Sequence, residues 1–278
     1  MKKILVPVDF SAHSEYALEV AANLAKKMDA EIIVVHMLGL SDAILTKDES
    51  QEFMEAKFYM ELARKRFSEF LDKPFLKGIK LSETVQNYKI FTEIGEVAKE
   101  HGADLIVMGS HGTSGLSEIF VGSNTEKVVR SAETPVLVIK ESRPQFQIKK
   151  VVFAFDFKIE SIAAYHRALS FFSPFKAAIT LVHVNLPGIN FLSSTEISKD
   201  IQAFLRTAHH GDVPAHISVE NVCDYSVEDG VYNFAKENKA DMIVIPTHGR
   251  SGLSHFFKGS IGEDIANHVQ LPVMTFKI

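Results

Sequence analysis

The chain repeats itself, and no other feature restricts its fold as strongly. Lys3-Ile-Leu-Val-Pro-Val-Asp9 returns 147 residues later as Lys150-Val-Val-Phe-Ala-Phe-Asp156, and Val35-His36-Met37 returns at the same offset as Val182-His183-Val184. Farther along the offset falls to 137. Glu83 and Val85 match Glu220 and Val222, Ala103-Asp104 matches Ala240-Asp241, and His111-Gly112 matches His248-Gly249. Gly122-Ser123 and Pro135-Val136 match Gly259-Ser260 and Pro272-Val273 in the same way. The second copy therefore lacks ten residues between its second and third strands. Motifs that agree in order along the whole length mean one domain written twice. The polar stretch 141–149, which contains Pro144, reads as a linker, and the domains are expected at 1–143 and 147–278.

Residues 3–8 are apolar without alternating, the mark of a strand buried on both faces. Ser11 is a suitable N-cap for a helix carrying Tyr16, Ala17, Val20, Ala21, Leu24 and Ala25 at helical spacing. A second buried strand is predicted at 31–37, a polar loop at 41–50 and an amphipathic helix at 51–71. The phenylalanines of that helix, like those at 171–175, are expected in the core. Thr84 to Phe91 reads as a weaker strand, 93–101 as a short helix, 104–108 as a buried strand, 123–132 as a helix and 134–139 as the last strand. In the second copy the long helix shortens to one near 195–208. Strands alternating with helices of this length imply right-handed βαβ units around a parallel sheet, a doubly wound α/β fold.

A chain of 278 residues, 46% hydrophobic and 23% charged, can bury two ordinary cores. Its net charge of −5 gives no reason to expect nucleic acid or an anionic membrane as partner. Cys223 stands alone, which excludes an internal disulfide, and it is expected as a small buried hydrophobe on a strand. The apolar run at the N-terminus stops at Pro7, too short for a signal peptide, and no run nears the ~18 residues of a membrane span. A cytoplasmic location is expected.

Chemistry is concentrated in residues 104–125. The strand Leu105 to Met108 breaks at Gly109 into a loop of glycines and hydroxyls that reaches a helix start at Gly122-Ser123. Backbone N–H groups, close-approaching glycines and the positive end of a helix dipole together cradle phosphate. Asp9 stands at the end of the first strand. In an open doubly wound sheet, ligands bind beyond the carboxyl ends of strands where the strand order reverses. If strands one and four are neighbours, Asp9 can hold a ribose or base edge while the loop holds phosphates. That outlines an adenine-nucleotide site.

Gly109-x-x-Gly112, nine residues, then Gly122-Ser123 is similar to the nucleotide-binding pattern of the universal stress protein family. Pro7-Val8-Asp9-Phe10-Ser11, Val35-His36-Met37 and Thr134-Pro135-Val136 resemble that family too. The resemblance covers nearly all of 1–143 and, less closely, 147–278. It implies two Rossmann-like domains, each a five-stranded parallel sheet in the order 3-2-1-4-5, joined through their last strands as an internal pseudo-dimer. It also implies ATP, with Mg²⁺, as the ligand. By position, Pro7, Val8, Asp9 and Met37 would hold the adenosine. Met108, Gly109, Gly112, Gly122, Ser123, Asn124 and Thr125 would surround the phosphates.

In the second copy Asp156, Val184, Gly249, Gly259 and Ser260 mark the corresponding, weaker site. There Pro246 replaces Gly109, Phe155 replaces Val8 and Lys158 replaces Ser11. Proline has no N–H to donate. An N–H lost to a charged oxygen costs about 1.5–3 kcal/mol, so the first site is read as the competent one.

Plainer readings stand beside these. Asp9 also suits a turn that helps Ser11 cap the first helix, and Gly112 and Gly115 suit simple turns. His36 and His183 read as hydrogen-bonded core imidazoles, while His111 and His248 either touch phosphate or order the loop. His209-His210-Gly-Asp212, with His216 nearby, invites a metal, but adjacent histidines diverge and lack i, i+4 spacing, so none is assigned. No activated nucleophile, acid–base pair or arginine clamp is visible in the loop, so slow ATP hydrolysis is the most expected of it. The reading is a nucleotide-dependent stress-response or regulatory protein, with a regulatory protein or a second copy as partner. Two alternatives stay open: a nucleotide-free interaction module, and an ATP-using enzyme of the nucleotide α-hydrolase-like superfamily. The Ser-Gly-Gly-x-Asp-Ser and His-x-x-His motifs of such enzymes do not occur.

Overall fold

The computed structural model describes residues 1–37, 49–86, 93–110, 123–247 and 270–278, the side chains of 49–56, 86 and 123 excepted. The chain divides into two units, Met1–Phe146 and Gln147–Ile278. In the first, β1 (Lys3–Val8), α1 (Ala12–Met28), β2 (Glu31–Met37), α2 (Glu49–Phe70) and β3 (Leu81–Gln86) are followed by α3 (Ile94–Glu100), β4 (Leu105–Gly109), α4 (Ser123–Ser131) and β5 (Val136–Ile139). Its strands pair in the order β3-β2-β1-β4-β5, every pair parallel. In the second unit come β6 (Lys150–Ala154), α5 (Ile162–Phe172), β7 (Ala178–Asn185) and α6 (Ser194–His209). They lead to β8 (Ile217–Cys223), α7 (Val227–Glu237), β9 (Met242–Thr247) and β10 (Val273–Lys277). The order β8-β7-β6-β9-β10 is the same winding, again parallel. The expected 3-2-1-4-5 sheet holds in both.

Central strands are apolar throughout because helices cover both faces. Ile4, Leu5, Val6, Leu105, Ile106 and Val107 are all fully buried. β8, at a sheet edge, alternates instead, and Cys223 at its end is exposed rather than buried as expected. The order reverses between β1 and β4, which pair through Ile4 with Leu105 and Leu5 with Ile106. The crevice required by the sequence argument therefore lies beyond Val8 and Gly109.

Two elements differ from expectation. The third strand spans Leu81–Gln86 rather than 84–91, and 87–91 lie outside the described residues. Among the described side chains of α2, Ala63, Phe67 and Phe70 are buried, whereas Phe58 is 66% and Leu62 37% exposed. A helix of 22 residues is ~33 Å long, but the seven-residue β2 beside it spans only ~23 Å. The helix outruns the sheet, and its first half has less to bury against. Of the ten residues missing from the second copy, six come out of this helix, since α6 has 16.

The repeated Ala-Asp pair has a structural role far from the crevice. The Lys2 and Lys3 amides donate to Asp104 Oδ2 at 2.5 and 3.1 Å, and the Lys149 and Lys150 amides donate to Asp241 Oδ2, each at 2.7 Å. One carboxylate thus satisfies the free amides at the amino end of each first strand. Replacing either aspartate by alanine should lower stability by about 1 kcal/mol, read as a urea midpoint shift, and asparagine should recover part of it because its amide oxygen still accepts.

Candidate functional site

The crevice of the first unit starts from a turn. Asp9 Oδ1 accepts from the Ser11 amide at 3.1 Å and from Ser14 Oγ at 2.5 Å, while the Asp9 amide donates to Ser14 Oγ at 3.1 Å. Ser11 Oγ accepts from the Ser14 amide and caps α1, as its residue type predicted. Asp9 therefore builds the turn, as the plainer reading expected, at the carboxyl end of β1. Phe10 is held at φ 66°, a region bulky residues seldom occupy. That strain turns its ring onto His36 (centroids 4.5 Å apart), with Phe67 and Phe70 at its edges.

Gly109 is fixed by packing. A Cβ there would lie 2.8 Å from the His13 carbonyl carbon and oxygen, so α1 can rest on β4 only if the residue is glycine. Its carbonyl accepts from the buried Thr125 hydroxyl at 2.9 Å, which pins the start of α4 to the end of β4. Along β4, the Ile106 and Ser110 amides donate to Pro135 and Ile139 on the β5 side. Successive amides alternate sides in a strand, so the Gly109 amide faces β1. The phosphate reading of the glycine and its packing role are compatible.

Of the other predicted residues, Pro7, Val8, Met37 and Met108 are buried at the carboxyl ends of β1, β2 and β4, and Asn124 lies half-buried in the first turn of α4. Ser123 opens that helix. Gly112 and Gly122 lie outside the described residues, as do His111, Gly115, His248, Gly249, Gly259 and Ser260. Arg66 on α2 was missed: its guanidinium carbon sits 5.8 Å from the Phe10 ring centroid. With Asp9, Phe10, Glu69 and Phe70 it lines a hollow of ≈ 430 Å³. No sequence signal separates this arginine from the other charges of α2. His36 Nδ1–H donates to the Val8 carbonyl at 2.8 Å, and burial, opposed by that bond, holds its pKa below the ordinary value.

The model of the universal stress protein family matches residues 1–140 and again 147–277. The chain belongs to the universal stress protein family. Universal stress protein Slr1230 of Synechocystis sp. is 25% identical over the full length of both chains. Universal stress protein MJ0531 of Methanocaldococcus jannaschii is 31% identical over 144 residues, which cover 52% of this chain and 85% of that protein. Among solved structures, a universal stress protein from Archaeoglobus fulgidus superposes with a TM-score of 0.65 over 99% of this chain and 98% of its own, at 18% identity. That last likeness concerns the fold.

The second universal stress domain repeats the turn with altered parts. Asp156 Oδ1 accepts from the Lys158 amide and Ser161 Oγ, and Phe157 sits at φ 61° against His183. Without a serine at 158 there is no side-chain cap, and a 3₁₀ turn (Ile159–Ser161) precedes α5, which starts three residues later than α1 does in its copy. α5 rests on β10 where α1 rests on β4, so position 246 escapes the contact that demands glycine at 109. Pro246 fits, and its missing N–H is the one that would face β6. The suspected metal cluster is also resolved into pairs: His209 Nε2 bonds Tyr165 Oη at 2.7 Å, His166 Nε2 donates to the Ala208 carbonyl, and His210 is the left-handed cap of α6.

Gly109→Ala should cost ~1–3 kcal/mol through overpacking on His13, whereas Pro246→Ala should change thermal stability by less than ~1 kcal/mol. Because the folded state keeps His36 neutral below its ordinary pKa of 6.5, its contribution is present above that pH and is lost as pH falls through it. Melting curves from pH 7.5 to 5 should therefore fall more steeply for the native chain than for His36→Gln.

Proposed function

We propose that the first unit binds one adenine nucleotide, ATP with Mg²⁺, and that the protein acts as a nucleotide-dependent stress-response or regulatory protein rather than a dedicated catalyst. The observation that carries this reading is the meeting of three groups at one crevice. β4 ends there at Gly109, the amino end of α4 is tied to that glycine by Thr125, and the Asp9 turn closes β1 beside them. Amides and a helix start suit phosphate, and a carboxylate beside them suits a ribose hydroxyl or a hydrated cation. Family membership supports the reading, because Gly109-x-x-Gly112 and Gly122-Ser123 resemble the family's nucleotide-binding pattern. Arg66 adds a positive charge from the α2 side, and Phe10 offers an aromatic edge.

Isothermal titration with ATP should give close to one site per chain, with affinity falling when EDTA removes divalent cations. Gly122→Val should weaken binding at least ~10-fold, since a branched side chain enters the loop where the backbone must approach phosphate. Heat-free titrations of the native protein with ATP, ADP and AMP would sink the proposal. Unaltered binding by Gly122→Val would place the nucleotide elsewhere.

A further inference from the structure

We infer that the crevice of the second unit takes a hydrophobic organic cation, an alkyl or aromatic amine, and not a nucleotide. The inference is independent of nucleotide binding in the first unit. Here the crevice opens into a cleft of ≈ 1000 Å³. That is the upper end of small-molecule sites, which run to about 1,000 Å³.

The cleft has a cause in the repeat. At the 137-residue offset Phe67 becomes Phe204, and both are 1% exposed, so the two helices are in register there. Arg66 and Phe70, which line the first hollow, become Ala203 and Thr207, which line the second. Two large side chains are thus replaced by two small ones on the wall. α5 also starts later than α1, and Ile159 of the 3₁₀ turn before it lines the cleft along with Pro246.

Its lining is aromatic and acidic. Phe155 meets Phe157 and Phe204 edge to face, with ring centroids 4.9 and 4.6 Å apart, and Leu192, Ile245 and Pro246 extend the apolar wall. Histidine aside, the charged lining residues are Asp156, Asp200 and Glu228 against Lys158, a balance of −2. Lys158 Nζ is already bound to Asp156 Oδ2 at 3.2 Å, and among the described residues neither Asp200 nor Glu228 forms an ion pair. Carboxylates and aromatic faces each attract cations, and carboxylates repel polyanions. Ile159 in the lining and Phe191, between the lining residues Asn190 and Leu192, are 70 and 60% exposed, an apolar margin open to solvent.

The chain contains no tryptophan, so Leu192→Trp places a single reporter in the cleft. Dodecylamine titrated below its micellar concentration should give a saturable emission change with one site per chain. Dodecanoate should bind at least ~10-fold more weakly. Ala203→Phe in the reporter background, filling the space at an exposed position, should weaken dodecylamine ~10-fold without lowering the melting temperature. Asp200→Asn with Glu228→Gln should abolish the preference for amine over carboxylate. Equal affinity for the two probes, no saturable amine binding, or amine binding indifferent to both sets of substitutions would overturn the inference.

Discussion

The approach of the first turn of α1 to the end of β4 sets the geometry of the first unit. Ser11 caps the helix on the Asp9 turn, so the helix begins at Ala12 and brings His13 down on the strand. Only hydrogen fits between them at Gly109. With the strand end fixed from that side, Thr125 ties α4 to it from the other. The ends of β1 and β4 and the start of α4 are then one rigid arrangement. Where lysine replaces the capping serine, the helix starts later, proline is accommodated at 246, and the crevice widens. The change at the cap position thus acts together with Ala203 and Thr207 on the wall to set the shape of the second crevice.

Much of this frame was legible in the sequence, for identifiable reasons. The strands sit in the middle of the sheet and are covered on both faces, so continuous runs such as Ile4-Leu5-Val6 and Leu105-Ile106-Val107 announce themselves. The cap at Ser11 is a local interaction between residues three apart, and it was read correctly. Features that depend on distant contacts were not legible. Arg66 reaches Phe10 across 56 positions, and nothing in α2 marks it. The left-handed turn at Phe10 occurs at a residue type that gives no hint of it. Cys223 was misjudged because an edge strand leaves its end open, and edge position is a property of the sheet order. Asp104 recurs with its neighbour in both copies, but only the strand ends show that it serves β1 and β6 rather than the crevice.

The contrast between the two crevices changes which substitution matters most. From sequence, Pro246 carried more weight than Phe155 or Lys158 in setting the second copy apart, through a lost N–H worth about 1.5–3 kcal/mol to an anion. The structure adds a charge difference of one, since the first hollow sets Arg66 against Asp9 and Glu69, a balance of −1, whereas the second has Ala203 in place of the arginine and a balance of −2. Two like charges ~8 Å apart in water repel by about 0.5 kcal/mol, and a triphosphate brings several of them. Summed and screened, that repulsion is of the same order as the missing hydrogen bond. Restoring glycine at 246 would therefore return only part of the anion affinity. The remainder depends on the helix beyond β7, where an exposed alanine stands in the place of an arginine and carboxylates line the same cleft as the Phe155–Phe204 ring pair.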